Sequence, residues 1–372
     1  MRRSRRTFPR ARGRRRSPPN SATSACSSPT ATRASSTSTG IATRAPRSRR
    51  ISRRWARFWV RIRRPPPRSK RRPSSRPPKI QPSKSAARAT VWAQEVSFNV
   101  SLVLLDIDGT LLGADGGVDA AIWSAAERLR DAGLRLAVCT GRTHSGVALD
   151  IARRLDAGAP HIFHNGALVT TADAEPKLLH SAPLGADVLR RLVGHARRLE
   201  ATIEFYTAGE VYVDRITTEC ARHAEVLDIA PVERDLEGVL IDEEVIRAHW
   251  IIDPALLDQA LAVDLPACNA SSATSPALPK DAFISVTSAH VSKGTGAVFA
   301  AEHLGVDLAD VVGVGDSMSD IPMLDAVGHP FAMADGDPQV CERFRTCGPV
   351  DQNGVIEALE FALRRCGDLQ PS

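Results

Sequence analysis

The chain has 372 residues, with 49 Lys plus Arg against 42 Asp plus Glu and a formal net charge of +7, long enough for a sizeable core and about two domains. That charge hides a division: residues 1–94 carry 28 of the basic residues and no acidic one, leaving 21 basic against 42 acidic residues beyond them. Seven scattered cysteines without a C-x-x-C pair argue against a disulfide framework or a zinc cluster and fit a reducing cytoplasm, and no apolar run approaches the roughly 18 residues of a membrane span.

Residues 1–96 are dominated by Arg, Ser, Pro, Thr and Ala, in blocks such as RRPPPRSKRRPSSRPPK. Self-repulsion and the lack of apolar periodicity predict a disordered tail. Its best apolar patch, Trp55 to Ile62, is interrupted by Arg57 and Arg61 and is too short for a signal-peptide core. Three readings compete: non-specific nucleic-acid binding through phosphates, an organelle transit sequence, or upstream DNA translated from a wrongly placed start. The abrupt change at Glu95 favours the third.

A strand is predicted over Ser101–Asp106, and it ends in DIDGT, residues 106–110. Residues i and i+2 of a strand face the same side, so Asp106 and Asp108 address one site, and Gly109 permits a sharp exit. Two close carboxylates require a cation, a raised pKa, or both. A helix over Asp119–Ala132, with Ile122, Ala126 and Leu129 on one stripe, leads to a strand over Leu134–Cys139 and then CTGR. The Thr140 hydroxyl and Gly141 amide, placed between a strand and the helix predicted over Ser145–Leu155, suit a phosphate oxygen. A further strand covers His161–Phe163; the spacing of His161 and His164 is that of a metal pair, but with no acidic or cysteine partner nearby they read as a strand edge.

Residues 167–288 read differently. Helices over Ala186–Leu199 and Asp253–Val263 mix with a hairpin signal, ATIEFYTAGEVYVD, and the Ser/Pro/Ala stretch Ala270–Leu278 reads as a loop or a cap edge. Antiparallel strands inside an otherwise alternating strand–helix pattern suggest an inserted second domain. After it, Lys293 precedes a helix over Thr295–His303, where a cation is mildly unfavourable unless it has a partner. A buried strand, Val311–Val314, runs into GDSMSD; a helical turn there would make Asp316 and Asp320 neighbours. A last helix covers Gly354–Arg364. Taken singly, each cluster has an ordinary reading: an exposed strand end, a threonine cap, a surface lysine, an N-capping aspartate. Together, at the carboxyl ends of parallel strands, they supply the groups for Mg²⁺-assisted phosphoryl transfer.

In this order, DIDGT, Thr140 in CTGR, Lys293 in SKGTG and GDSMSD resemble the motifs of the haloacid dehalogenase (HAD) superfamily. The long insertion, the NGA at Asn165–Ala167 and the ending GPVDQNGVIEALE resemble its Cof-type hydrolases, subclass IIB. The resemblance implies an α/β fold: a Rossmann-like parallel sheet with helices on both faces, a core from 97–166 and 289–372, and an inserted α+β cap at 167–288. It makes Asp106 the nucleophile that forms an aspartyl-phosphate, and Asp108 the general acid/base with a raised pKa. Mg²⁺ would be held by the Asp106 side chain, the Asp108 backbone carbonyl and Asp316, braced by Asp320. Thr140, Gly141 and Lys293 would bind the phosphate, with Asn165, Arg142 and Ser319 as substrate contacts and Glu204 and Tyr206 as cap candidates. One departure is Ser319, where many members carry an asparagine that helps hold the phosphate and its lysine.

The implied protein is a cytoplasmic Mg²⁺-dependent phosphatase of small organic phosphate monoesters, either sugar phosphates or phosphorylated cofactors. Its partner is a small phosphorylated metabolite; no membrane is expected, and nucleic acid only if the tail is real. One alternative is a phosphomutase, which needs an arginine-rich cap, whereas Arg190, Arg191, Arg197 and Arg198 read as a solvated helix face. Another is a nucleic-acid-binding protein acting through the tail.

Overall fold

The computed structural model describes residues 100–113, 116–275 and 278–366; the basic tail and its competing readings lie outside them. In chain order the strands are β1 (Leu102–Leu105), β2 (Arg135–Val138), β3 (His161–Phe163), β4 (Leu168–Thr170), β5 (Leu178–Ser181), β6 (Thr202–Tyr206), β7 (Val211–Val213), β8 (Val232–Glu233), β9 (Arg247–Ile252), β10 (Cys268–Ser275), β11 (Leu278–Ser288), β12 (Val311–Gly315), β13 (His329–Met333) and β14 (Arg345–Cys347).

Every side chain of β1 is apolar and buried, so both faces of its sheet must be covered. Val103 and Leu105 join a core with the helices Ala120–Asp131, Gly146–Asp156 and Val355–Cys366. Leu102 and Leu104 face the other way, toward Ala297, Ala300 and Ala301 of the helix Lys293–Leu304. Each such leucine contributes about 1.5–3 kcal/mol by leaving water. The sheet is parallel throughout, in the order β14-β13-β12-β1-β2. It is a Rossmann-like α/β fold, as the strand–helix alternation predicts.

Caps fix where the helices begin. Asp119 accepts the Ala121 N–H at 2.7 Å, and Ser292 and Thr295 form a capping box at the start of Lys293–Leu304. The predicted strand His161–Phe163 forms, but as β3 of an antiparallel sheet with β4 and β5, joined to the end of β2 through a bridge between Cys139 and Ile162.

A six-stranded sheet, order β10-β11-β9-β6-β7-β8, is antiparallel except between β7 and β8. On one face Ile203, Phe205, Trp250, Ile252 and Ile284 pack with Leu189, Leu192 and Val193 of the helix Ala186–Arg198 into a hydrophobic cluster of their own. The arginines at 190, 191, 197 and 198 lie on that helix's exposed side. On the other face, Glu204 of β6 and His249 of β9 stand directly opposite each other.

One open reading is decided here and one expectation fails. The stretch Ala270–Leu278 is not simply a loop: β10 runs to Ser275 and pairs antiparallel with β11, Ala270 opposite Val286 and Ser272 opposite Ile284. As an edge strand it is held by the backbone ladder on one side, which small residues with no alternating pattern can supply. The helix predicted over Asp253–Val263 breaks into a 3₁₀ turn, Pro254–Leu256, and one short helical turn, Leu257–Leu261, in which only Ala260 is buried.

Candidate active site

Asp106 follows β1 directly, and its backbone N–H donates to the Val314 carbonyl at 3.0 Å, so the ladder carries it to the sheet's carboxyl rim. Gly109, with φ 75°, turns the chain away. Thr140 and Gly141 follow β2, and Asp316 follows β12. Asn165 arrives on a turn of three successive left-handed residues, His164 (φ 51°), Asn165 (φ 57°) and Gly166 (φ 100°). These elements enclose a cavity of about 410 Å³ lined by Asp106, Asp108, Thr140, Arg142, Lys293 and Asp316, with Gly141, Asn165 and Ser319 also on its wall.

Lys293 is 2% exposed, and its Nζ lies 2.7 Å from Asp106 Oδ1 and 2.6 Å from Asp320 Oδ1. Burial alone would lower its pKa; the two carboxylates reverse that and hold it above the usual lysine range. This partnership overcomes the unfavourable placement at a helix start. Burial pushes the Asp106 carboxyl up to about 8, Asp320 adds to the effect and Lys293 opposes it. Asp316 is raised to about 6, again first by burial and then by Asp320.

Asp320 is fully buried, and its carboxylate is consumed. Oδ1 takes the Lys293 ammonium, while Oδ2 accepts the Asp316 and Ser317 N–H groups and the Ser317 hydroxyl. Asp316 and Asp320 therefore meet through a turn at 317–320 rather than the helical turn the spacing suggested; the helix begins only at Ile321. Ser319 points to Ser317, hydroxyl to hydroxyl at 2.9 Å, and Lys293 is fixed by the two carboxylates.

Asp108 departs from its expected setting. Its side chain is 58% exposed and accepts both donors of Arg142, Nε at 2.8 Å and Nη2 at 2.6 Å. The cap candidates Glu204 and Tyr206 also depart: both are buried away from the cavity wall, the Tyr206 hydroxyl donating to Glu204 at 2.6 Å.

Among the wall residues that escaped the sequence reading are Arg247 and His223. Arg247 opens β9, stacks over Tyr206 at 5.3 Å and donates Nη1 to the Gly141 carbonyl at 3.2 Å. His223 comes from the helix Thr218–Leu227. The available signal was a polar stripe, Glu204, Tyr206, Arg247 and His249, set at every second position of otherwise apolar strands. His161 is a core residue: Nδ1 accepts the Val138 N–H, and Nε2 pairs with the Asp156 carbonyl.

Carboxylates, a hydroxyl and an ammonium gathered on the carboxyl rim of a parallel sheet are the groups that a hydrolase of the phosphatase class uses. The chain belongs to the haloacid dehalogenase-like hydrolase family, whose model matches residues 103–359. It is 26% identical over 276 residues to YxeH of Bacillus subtilis (strain 168), covering 69% of this chain and 96% of that one. Over 279 residues it is 26% identical to the HMP-PP phosphatase of Yersinia pseudotuberculosis serotype I, covering 70% and 95%. Among solved structures, the phosphatase BT1666 of Bacteroides thetaiotaomicron superposes with a TM-score of 0.59 at 23% identity, over 74% of this chain and 99% of that one. Among the described residues no helix is long and apolar enough to cross a membrane.

Proposed function

We propose that the protein is a Mg²⁺-dependent phosphatase of small organic phosphate monoesters, sugar phosphates or phosphorylated cofactors, acting through an aspartyl-phosphate on Asp106. The observation that carries this reading is the buried Asp106, held by Lys293 beside Asp316 on a cavity that Asp108 and Thr140 also border. In the first step an Asp106 oxygen bonds to phosphorus while the ester P–O bond breaks, and Asp108 gives its proton to the departing alkoxide. In the second, water attacks phosphorus, Asp108 takes the proton, and the acyl phosphate bond breaks to free inorganic phosphate and the Asp106 carboxylate. For this Asp108 must leave Arg142, so entry of an anionic substrate that competes for the guanidinium is part of the cycle. Lys293, Thr140 and the Gly141 amide hold the phosphoryl oxygens.

The residues present fit Mg²⁺. Asp106 and Asp316 present carboxylate oxygens within 4.8 Å of one another, an all-oxygen pair suited to a hard cation, and Asp316 Oδ1 is buried without a hydrogen-bond partner among the described residues. When bound, the ion neutralises charge on the phosphoryl group and keeps the carboxylates ionised. Asp106 and Asp316, with the Asp108 carbonyl, would hold it, and Asp320 would fix their loop.

We assign residues 167–288 as a cap, anchored through β4 and β5 to β3, with the core formed by 97–166 and 289–372. Its separate hydrophobic cluster and its contribution of Arg247 and His223 to the cavity support this. Selection among leaving groups then falls to the cap, with Asn165, Arg142 and Ser319 as contacts from the core. A cytoplasmic location accords with six unpaired cysteines among the described residues. The exposed arginines of the helix Ala186–Arg198 favour hydrolysis over phosphoryl return to a sugar. The test is Asp106→Asn: turnover of p-nitrophenyl phosphate should fall by at least about 10³-fold with unchanged thermal melting, and EDTA should silence the wild type. Full activity in the variant would overturn the nucleophile assignment.

A further inference from the structure

Behind the cavity wall lies a second cluster that the proposed chemistry does not use. Glu204 on β6 and His249 on β9 are cross-strand partners on the same sheet face, and His223 reaches them from the helix Thr218–Leu227. All three are buried, and their donor atoms lie within 4.8 Å of one another. His223 Nδ1 is 3.0 Å and His249 Nδ1 3.5 Å from Glu204 Oε2. With metal–nitrogen bonds of about 2.0–2.1 Å and metal–oxygen bonds of about 2.0–2.2 Å, a tetrahedral centre sets its ligand atoms roughly 3.3–3.5 Å apart. The two histidine–carboxylate distances, 3.0 and 3.5 Å, lie close to that spacing before any ion is added.

We propose that Glu204, His223 and His249 form a second metal site, selective for Zn²⁺ or a similar borderline transition ion and distinct from the carboxylate cluster on the rim. Two imidazoles and one carboxylate prefer such ions, whereas the all-oxygen rim prefers Mg²⁺. A further observation fits a ligand: His249 is 5% exposed, and its Nδ1, turned into the cluster at 3.5 Å from Glu204 Oε2, makes no hydrogen bond of good geometry among the described residues. A buried polar atom left so is costly. The Tyr206 hydroxyl, donating to Glu204 at 2.6 Å, orients the carboxylate from outside the cluster. Phe283 stacks on the His249 ring at 5.5 Å and lies tilted against the His223 ring at 4.9 Å, supplying an apolar wall.

The ion would tie the helix Thr218–Leu227 to β6 and β9, and so fix His223 and Leu227 where they line the cavity. The inference stands without the phosphatase reading. Its test is calorimetric titration of the metal-stripped full chain with Zn²⁺ in excess Mg²⁺, with Co²⁺ absorption as a second readout. The wild type and Asp316→Asn should each bind one Zn²⁺, give the intense visible band of a low-coordinate Co²⁺ site, and melt at higher temperature with Zn²⁺. Glu204→Gln and His249→Ala should lose all three responses, and Tyr206→Phe should bind roughly tenfold more weakly. No zinc bound by the wild type, binding retained in Glu204→Gln, or binding lost in Asp316→Asn would each overturn the proposal. The Co²⁺ spectrum of the wild type decides the matter even if His249→Ala fails to fold.

Discussion

Two glycines separate what a single methyl group does to chemistry from what it does to folding. Gly109 has φ 75°, and a Cβ there would lie 2.4 Å from Asp316 Oδ2, the end of a side chain that can move. Gly166 has φ 100°, and its Cβ would lie 2.2 Å from the Ser292 carbonyl, which is backbone at the cap of the Lys293 helix. Both alanine variants carry about 1–2 kcal/mol of left-handed strain. Gly109→Ala should fold, melt a few degrees lower and lose most of its turnover, because Asp316 must swing away. Gly166→Ala should lose stability well beyond that strain, read as a lower urea midpoint. Equal melting of the two variants would refute the distinction. Ser319 allows a gain instead. It lines the cavity, its hydroxyl bonds only to Ser317 among the described residues, and Lys293 is fixed without it. Ser319→Asn, with a longer amide directed at the phosphate, should lower KM several-fold at unchanged melting temperature; an unchanged or higher KM would show that Ser319 is not at the phosphate.

At the scale of elements, β3 carries an acid-sensitive lock. His161 is fully buried; its Nδ1 accepts the Val138 N–H at 3.2 Å, so a proton there would oppose an existing donor. Burial lowers its pKa to about 4, outweighing the hydrogen bond to Asp156. The unfolded chain takes this proton near pH 6.5, so the stabilisation is whole above that value and declines as pH falls toward 4, by about 3 kcal/mol in all. Urea midpoints measured from pH 7 to 4.5 should show this slope, and His161→Gln should flatten it. The same strand shows what a sequence can reveal. Its extent was legible from three apolar and aromatic residues, but its membership in a separate antiparallel sheet was not, because pairing depends on partners distant in the chain. The rim motifs were legible because each sits in a few contiguous residues after a buried strand. Arg247 and His223 were not, since their place on the wall follows from how the inserted segment packs. Nor was β10, whose serines and alanines satisfy a backbone ladder without any apolar signal.

For the whole molecule, charge sets the last prediction. The first 94 residues hold 28 Lys plus Arg and no acid, while the remainder holds 21 basic against 42 acidic residues. Every group assigned to the phosphatase chemistry falls between Asp106 and Asp320. Deleting residues 1–96 should therefore leave kcat on p-nitrophenyl phosphate within about twofold, since each step of the proposed chemistry is unaltered. KM can respond differently. An acidic body repels an anionic substrate and a basic segment attracts it, so deletion should raise KM at low salt. That difference should vanish near 0.15 M salt, where the Debye length is about 8 Å. The same segment holds 28 of the chain's 49 Lys plus Arg, the charge that phosphate backbones would bind. Full-length protein that shifts no DNA or RNA even at low salt, together with undiminished kcat after deletion, would remove the nucleic-acid reading. Affinity that falls steeply with salt and disappears with residues 1–96 would instead establish a second activity carried wholly by the tail. A large loss of kcat in a truncated chain that still melts normally would show that the assigned site is incomplete without the tail.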